Sequence, residues 1–209
     1  MPRSGGSIQP VRQRILEAAF AAFREKGYAG ATTREIASRA KVSKRDLYAL
    51  FPDKQVMLAA CIKTTAQRAR QPLELGPARD GAALRSALEA YGTSFLLELG
   101  QPGVVALYRL AVIEAESSPE VGRALMTFGK EAIVGTLSGF VRKAQAARLL
   151  GKGNPSAIAR VFMSLLWGNS MLWLLLRAEE PPDGGVAKRR ARAAVGALLR
   201  LFPPPGRSR

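Results

Sequence analysis

Apolar positions recur along this chain at helical intervals from one end to the other. Between Val11 and Lys26 they fall at Ile15, Leu16, Ala19, Phe20 and Phe23, a single stripe along one helix face. Gly27 ends that stripe as a C-terminal cap, and Tyr28 is placed to fold back on the core. Ile36, Ala37 and Ala40 then form the inner face of a short second helix, with Thr32 or Thr33 as its cap. Val42 plugs a turn, and Leu47 and Leu50 line the inner face of a third helix. Ala37 sits where these two helices cross, a place that requires a small side chain. Asp53 is placed to cap a fourth helix over residues 54–70, after which Pro72, Gly76 and Pro77 break the chain. Further helices are predicted near residues 79–100, 103–116, 119–148, 155–178 and 186–201, separated by Pro-, Gly- and Ser-rich breaks. No stretch alternates long enough to make a strand, so the expected fold is all-α. Residues 1–9 read as a flexible arm and residues 203–209 as a disordered tail.

The outward positions of the third helix carry the first chemical signal. Lys44, Arg45 and Tyr48 point away from the predicted core, with Arg34 and Ser43 beside them. These side chains grip phosphate oxygens and base edges, and a helix is the element that fits a major groove. Asp46 has two roles open to it. It can accept a hydrogen bond from cytosine N4, or it can complete a capping box with Ser43 at its own helix N-terminus.

From REKGY (Arg24 to Tyr28) through TTREIA, the turn, LYALF and Asp53-Lys54, residues 10–60 resemble the N-terminal domain of the TetR family of bacterial transcriptional regulators. The resemblance implies a helix-turn-helix domain over residues 10–56 and a larger helical effector-binding and dimerisation domain over 57–202. It implies phosphate contacts for Thr33, Tyr48 and Lys54, and base reading by Lys44 and Arg45 with support from Arg34 and Ser43. One departure stands in the turn, where Lys41 occupies a position at which the family usually has glycine with positive φ. A lysine there costs on the order of 1 kcal/mol. More faintly, the segment YRLAVIEAESSPEVGRAL resembles AefR-like or AcrR-like C-terminal domains.

Composition narrows the alternatives. A net charge of +16 and a pI near 11.0 point to a polyanionic partner. The chain has no histidine, which removes Ser-His-Asp and Cys-His catalysis and imidazole metal ligands. With one cysteine, Cys61, it has no disulfide framework and no Cys-rich zinc site. Neither an enzyme nor a resident metal or cofactor is expected. The N-terminal residues MPRSGGSIQ lack the apolar core of a signal peptide, so a cytoplasmic protein is expected. The apolar run VFMSLLWGNSMLWLLL, residues 161–176, is shorter than the roughly 18–20 residues a span needs. Ser164, Asn169 and Ser170 interrupt it, so a buried helix is expected and not a membrane partner.

In the TetR family the last two helices form a four-helix bundle across a two-fold axis. The resemblance therefore implies a homodimer, with Met171, Leu172, Leu175, Val195, Leu198 and Leu199 at the interface and the basic run Lys188 to Arg192 mostly facing solvent. A surplus of bulky side chains in the larger domain points to a cavity for an apolar or aromatic small molecule. Tyr91, Phe95, Leu99, Tyr108, Phe128, Phe140, Phe162, Met163 and Trp167 are candidates to line it, with Glu98 and Glu114 as its polar groups. Together these readings describe a homodimeric repressor on a palindromic double-stranded operator, released by a small-molecule effector. Its rivals are an architectural protein that coats nucleic acid by charge alone, a ligand-independent regulator and a small-molecule enzyme.

Overall fold

A computed structural model describes the backbone of residues 8–70 and 78–206, and the side chains of residues 9–64 and 78–206. Every regular element among the described residues is helical. In chain order they are α1 (Ile8–Gly30), α2 (Thr33–Ala40), α3 (Lys44–Leu50), α4 (Lys54–Arg70), α5 (Gly81–Leu99), α6 (Pro102–Ile113) and α7 (Pro119–Ala124). A π-helical turn (Leu125–Glu131) follows, then α8 (Ala132–Ala146), α9 (Pro155–Trp167), α10 (Ser170–Leu175) and α11 (Gly184–Leu201). Ile8 and Gln9, expected in an N-terminal arm, belong to α1; residues 1–7, the 71–77 joint and residues 207–209 lie outside the described residues.

Packing divides the chain into two units. The first combines Met1–Thr65 with Ala106–Gly129. Its core joins Ile15, Ala19 and Phe23 of α1 to Ile36, Ala37, Leu47, Phe51, Met57 and Leu58. Leu107, Leu110, Val121, Ala124 and Leu125 complete that core. Residues 106–129, placed by sequence in the effector domain, thus pack with the helix-turn-helix. Cys61 is part of the same core: its thiol donates to the Leu16 carbonyl, and burial pushes it up to about 12, so it stays a thiol.

The second unit combines Ala66–Val105 with Lys130–Arg209. In it α11 packs on α5 and α9, and α9 also packs on α8. Gly92 allows the close approach, because a Cβ there would stand 2.8 Å from Leu166 Cδ2 and 3.0 Å from Ala191 Cβ. Two predicted helices are not continuous. The 155–178 stretch breaks at Gly168, whose φ of 47° and ψ of −130° separate α9 from α10. The 119–148 stretch contains the π-helical turn between α7 and α8. Apolar spacing alone carries neither interruption. The end of α11 is tied down, since Gly151 N–H donates to the Phe202 carbonyl. Among the described residues no single helix is long and apolar enough to cross a membrane.

Candidate nucleic-acid interface

The helix-turn-helix is closed at each end by its own polar side chains. Thr32, in extended backbone, caps α2 by accepting from Glu35 N–H at 3.2 Å. At the other end of α2, Lys41 adopts φ 54° and ψ 47°, the left-handed geometry expected of that turn. Lys41 N–H donates to Ser38 O and Val42 N–H to Ala37 O, the paired bonds of a Schellman closure. Ser43 then caps α3, accepting from Asp46 N–H at 3.0 Å while its hydroxyl donates to Asp46 Oδ2 at 2.8 Å. Of the two roles open to Asp46, the cap is the one the geometry displays.

With the caps made locally, the outer surface of α3 is left for a partner. Ser43, Lys44, Arg45 and Tyr48 are exposed, as is Arg34 on α2. The Tyr48 hydroxyl lies 2.9 Å from Thr33 Oγ1, so one hydrogen bond fixes both groups at the seam between α2 and α3. Among the described residues, Arg34, Lys44 and Arg45 have no ion pair or side-chain hydrogen bond. Two neighbouring cations of this unit are engaged. Arg39 bonds Glu25 and Glu35, each at 2.6 Å, and Lys26 bonds Glu35 at 2.8 Å. The hydrogen bond from Arg39 lowers the Glu25 pKa below the ordinary carboxylate range. Lys44 and Arg45 on the exposed face of α3 are thus cations without an acidic partner, which suits phosphate and base edges.

Lys54, expected to hold a phosphate, is bonded to backbone within its own unit. Its ammonium donates to the carbonyls of Tyr28 at 2.6 Å, Ala29 at 3.3 Å and Ala31 at 3.2 Å, and lies 4.4 Å from the Tyr28 ring centroid. An ammonium has three N–H donors, and these carbonyls engage all of them. A direct phosphate contact would require Lys54 to leave them. Burial pulls its pKa below the ordinary lysine value, opposed by the charges of Glu114 and Glu120.

Glu114 also stands elsewhere than expected. It belongs to the first unit, as do Tyr108 and Phe128, so these three are not in the core that holds the other pocket candidates. Its Oε1 accepts from Tyr28 N–H at 2.7 Å and Ala29 N–H at 3.3 Å, and its Oε2 accepts from Ser117 Oγ at 2.9 Å. Burial raises the carboxyl pKa. Hydrogen bonds from Ser117, Ala29, Ser118 and Tyr28 outweigh that and hold it below the ordinary value. Glu-x-x-Ser in EAESS was the only sequence trace of this arrangement.

In the second unit Tyr91, Phe95, Leu99, Phe140, Phe162 and Met163 are core residues, while Glu98 and Trp167 are half-buried. Tyr91 stacks on Phe95 at 6.1 Å and meets Phe162 at 6.3 Å, Phe95 meets Trp167 at 5.7 Å, and the Tyr91 hydroxyl donates to Met163 Sδ. The expected interface residues divide. Val195 and Leu198 are 0 % exposed in the single chain, because they lie on the α11 face turned to its own core, and such side chains have no surface to give a partner. Met171 is buried too, Leu175 and Leu199 are half-buried, and Leu172 is 51 % exposed. Leu165, Trp173 and Leu176, which the spacing did not single out, are exposed apolar side chains in the same region. The α9–α10 break shifts the helical register that a continuous helix would have kept. Leu165, Trp167, Trp173, Arg190 and Ala197 line an open cleft of about 400 Å³.

Comparison with known proteins places both halves of the chain. The sequence profile of bacterial regulatory proteins of the tetR family matches residues 15–61. That of the AefR-like transcriptional repressor C-terminal domain matches residues 57–203. The uncharacterized HTH-type transcriptional regulator YvkB of Bacillus subtilis (strain 168) is 25% identical over 174 residues, spanning 77% of this chain and 82% of its own. The solved structure of the flavonoid-responsive regulator FrrA is similar with a TM-score of 0.74 and 26% identity, covering 94% of this chain and 98% of that one. A TetR transcriptional regulator from Agrobacterium tumefaciens is similar with a TM-score of 0.74 and 28% identity, covering 91% and 94%.

Proposed function

The chain belongs to the TetR family of transcriptional regulators, and from that premise we propose that it is a homodimeric repressor whose α3 reads a palindromic operator. The observation that carries this reading is the exposed surface of α3, where Lys44 and Arg45 are uncompensated beside the Tyr48–Thr33 hydrogen bond. Each protomer supplies one recognition helix to a half-site, the two lying about 34–36 Å apart in adjacent major grooves. Arg45 and Lys44 read base edges. Thr33 and Tyr48 hold phosphate, pre-set by the bond between them, and Arg34 and Ser43 lie at the border of the contact.

Pairing of protomers draws on the exposed apolar side chains of α9 and α10, namely Leu165, Leu172 and Trp173, and on Leu176 after them. Several exposed apolar side chains in one region of a regulator are more economically covered by a second copy than by water. The effector is an aromatic or largely apolar small molecule bound in the second unit. Two facts support that class: the aromatic set around Tyr91, Phe95, Phe162 and Trp167, and the likeness to a regulator described as flavonoid-responsive.

Selection of preferred duplexes from a random pool tests the reading. An inverted repeat is expected, bound by a dimer and released by a member of a flavonoid and hydrophobic-aromatic panel. A pool that stays random after repeated selection would leave only a charge-driven nucleic-acid coat.

A further inference from the structure

Glu114 is a buried carboxylate that no DNA contact uses. A carboxylate removed from water is costly unless hydrogen bonds replace its hydration. Among the described residues Glu114 forms no direct ion pair, although its charge acts on Lys54; its partners are the backbone N–H groups of Tyr28 and Ala29 and the hydroxyls of Ser117 and Ser118. Those two N–H groups belong to the short last stretch of α1 beyond its kink at Gly27, which forms the joint to α2, more than eighty positions away in sequence. The carbonyls of the same joint, at Tyr28, Ala29 and Ala31, are held by Lys54. One short stretch of backbone is thus gripped by an anion on its donors and a cation on its acceptors.

The joint is shaped for that grip. Gly27 has φ 74° and ψ 170°, which turns the chain out of α1 and aims the following N–H groups at the carboxylate. A Cβ at Gly27 would stand 2.7 Å from Glu114 Oε1, so the carboxylate occupies space that only glycine leaves open. Beyond the joint, Ala31 is buried and Thr32 caps α2, so the position of the joint sets the start of α2. Thr33, the first residue of α2, is bonded to Tyr48 on α3. Glu114 itself follows directly on α6, a helix that begins in the second unit and ends in the first.

We propose that Glu114 is a positioning residue for operator binding: from residues 106–129 its carboxylate holds the α1–α2 joint, and so fixes where α2 and α3 present Thr33, Arg45 and Tyr48 to DNA. This rests on the DNA-binding reading above. A recognition surface displaced by about an ångström keeps its charge but loses its base contacts. Loss of the carboxylate therefore reduces affinity for the selected duplex more than affinity for scrambled DNA.

The test uses the full chain and the duplex that the wild-type protein selects. Equilibrium titrations at 25 °C compare wild type, Glu114→Gln, Glu114→Ala and Glu120→Ala, with thermal melts of each. Gln keeps an acceptor oxygen without the charge, and Ala leaves both N–H groups unsatisfied. Affinity for the selected duplex is expected to fall about threefold to tenfold in Glu114→Gln and further in Glu114→Ala. The selected-to-scrambled ratio should fall in the same order, with Glu120→Ala within about twofold of wild type. A purely structural role would lower the melting temperature and leave that ratio unchanged, which would overturn the proposal. Should Glu114→Ala not fold, Glu114→Gln decides alone, and wild-type affinity and ratio in that variant would overturn it. Failure of the DNA-binding reading itself shows earlier, as a wild-type protein that selects no sequence.

Discussion

Single residues in the helix-turn-helix unit divide into those that build it and those it presents. Lys41 builds: it takes a left-handed backbone that glycine adopts without a Cβ penalty. Lys41→Gly is expected to stabilise the protein by about 0.5–1 kcal/mol, read as a rise in denaturation midpoint with unchanged slope. A lower midpoint would mean that the Lys41 side chain contributes more than its strain costs. Lys54 also builds. Its alanine variant should lose about 1–3 kcal/mol of stability and leave the slope of log affinity against log salt at the wild-type value. A slope reduced by about one unit would instead mark a phosphate contact. Glu114 gives a pH signature. Its carboxyl lies below the ordinary value of 4.5 in the folded chain, so its stabilisation is present above that value and is lost as pH falls through the lowered one. Thermal melts of wild type and Glu114→Gln should therefore differ at neutral pH and converge in acid. Much of this scale was legible in sequence, because caps and positive-φ turns are local: Thr32, Ser43, Asp53 and the geometry at Lys41 follow from neighbours a few residues away. The roles of Lys54 and Glu114 depend on backbone groups brought to them by the fold, and no spacing encodes that.

At the scale of elements, helix existence followed the apolar period, while breaks and faces did not. A mostly apolar stretch such as residues 161–176 has too few polar positions to show which way each turn faces, so the break at Gly168 and the outward positions of Leu172 and Trp173 were hidden. For α11 the same periodicity marked Val195 and Leu198 correctly as apolar-face residues, but that face is filled by α5 and α9 of the same chain. A pair of variants separates the two situations. Leu198→Glu would bury an unpaired charge in the unit's own core and should prevent folding, seen as lost helical circular dichroism. Leu172→Glu should leave the helices intact and convert dimer to monomer in sedimentation at micromolar concentration. A Leu172→Glu protein that sediments like wild type would move the interface away from α10.

For the whole molecule, charge and family lead to the same partner. A net charge of +16 ensures attraction to any polyanion, so bare affinity for DNA is a weak criterion and the discrimination between sequences is a strong one. That discrimination is assigned here to α3, and to Arg45 before any other side chain, because its guanidinium is exposed, uncompensated and able to bond a guanine edge in two places. The most direct measurement is the ratio of affinities for the selected and the scrambled duplex, in wild type and in Arg45→Ala, at matched salt. The account predicts that Arg45→Ala lowers this ratio by about 1–3 kcal/mol in free-energy terms while leaving dimerisation and melting temperature in place. An unchanged ratio in a folded Arg45→Ala dimer would contradict the assignment of sequence reading to this residue.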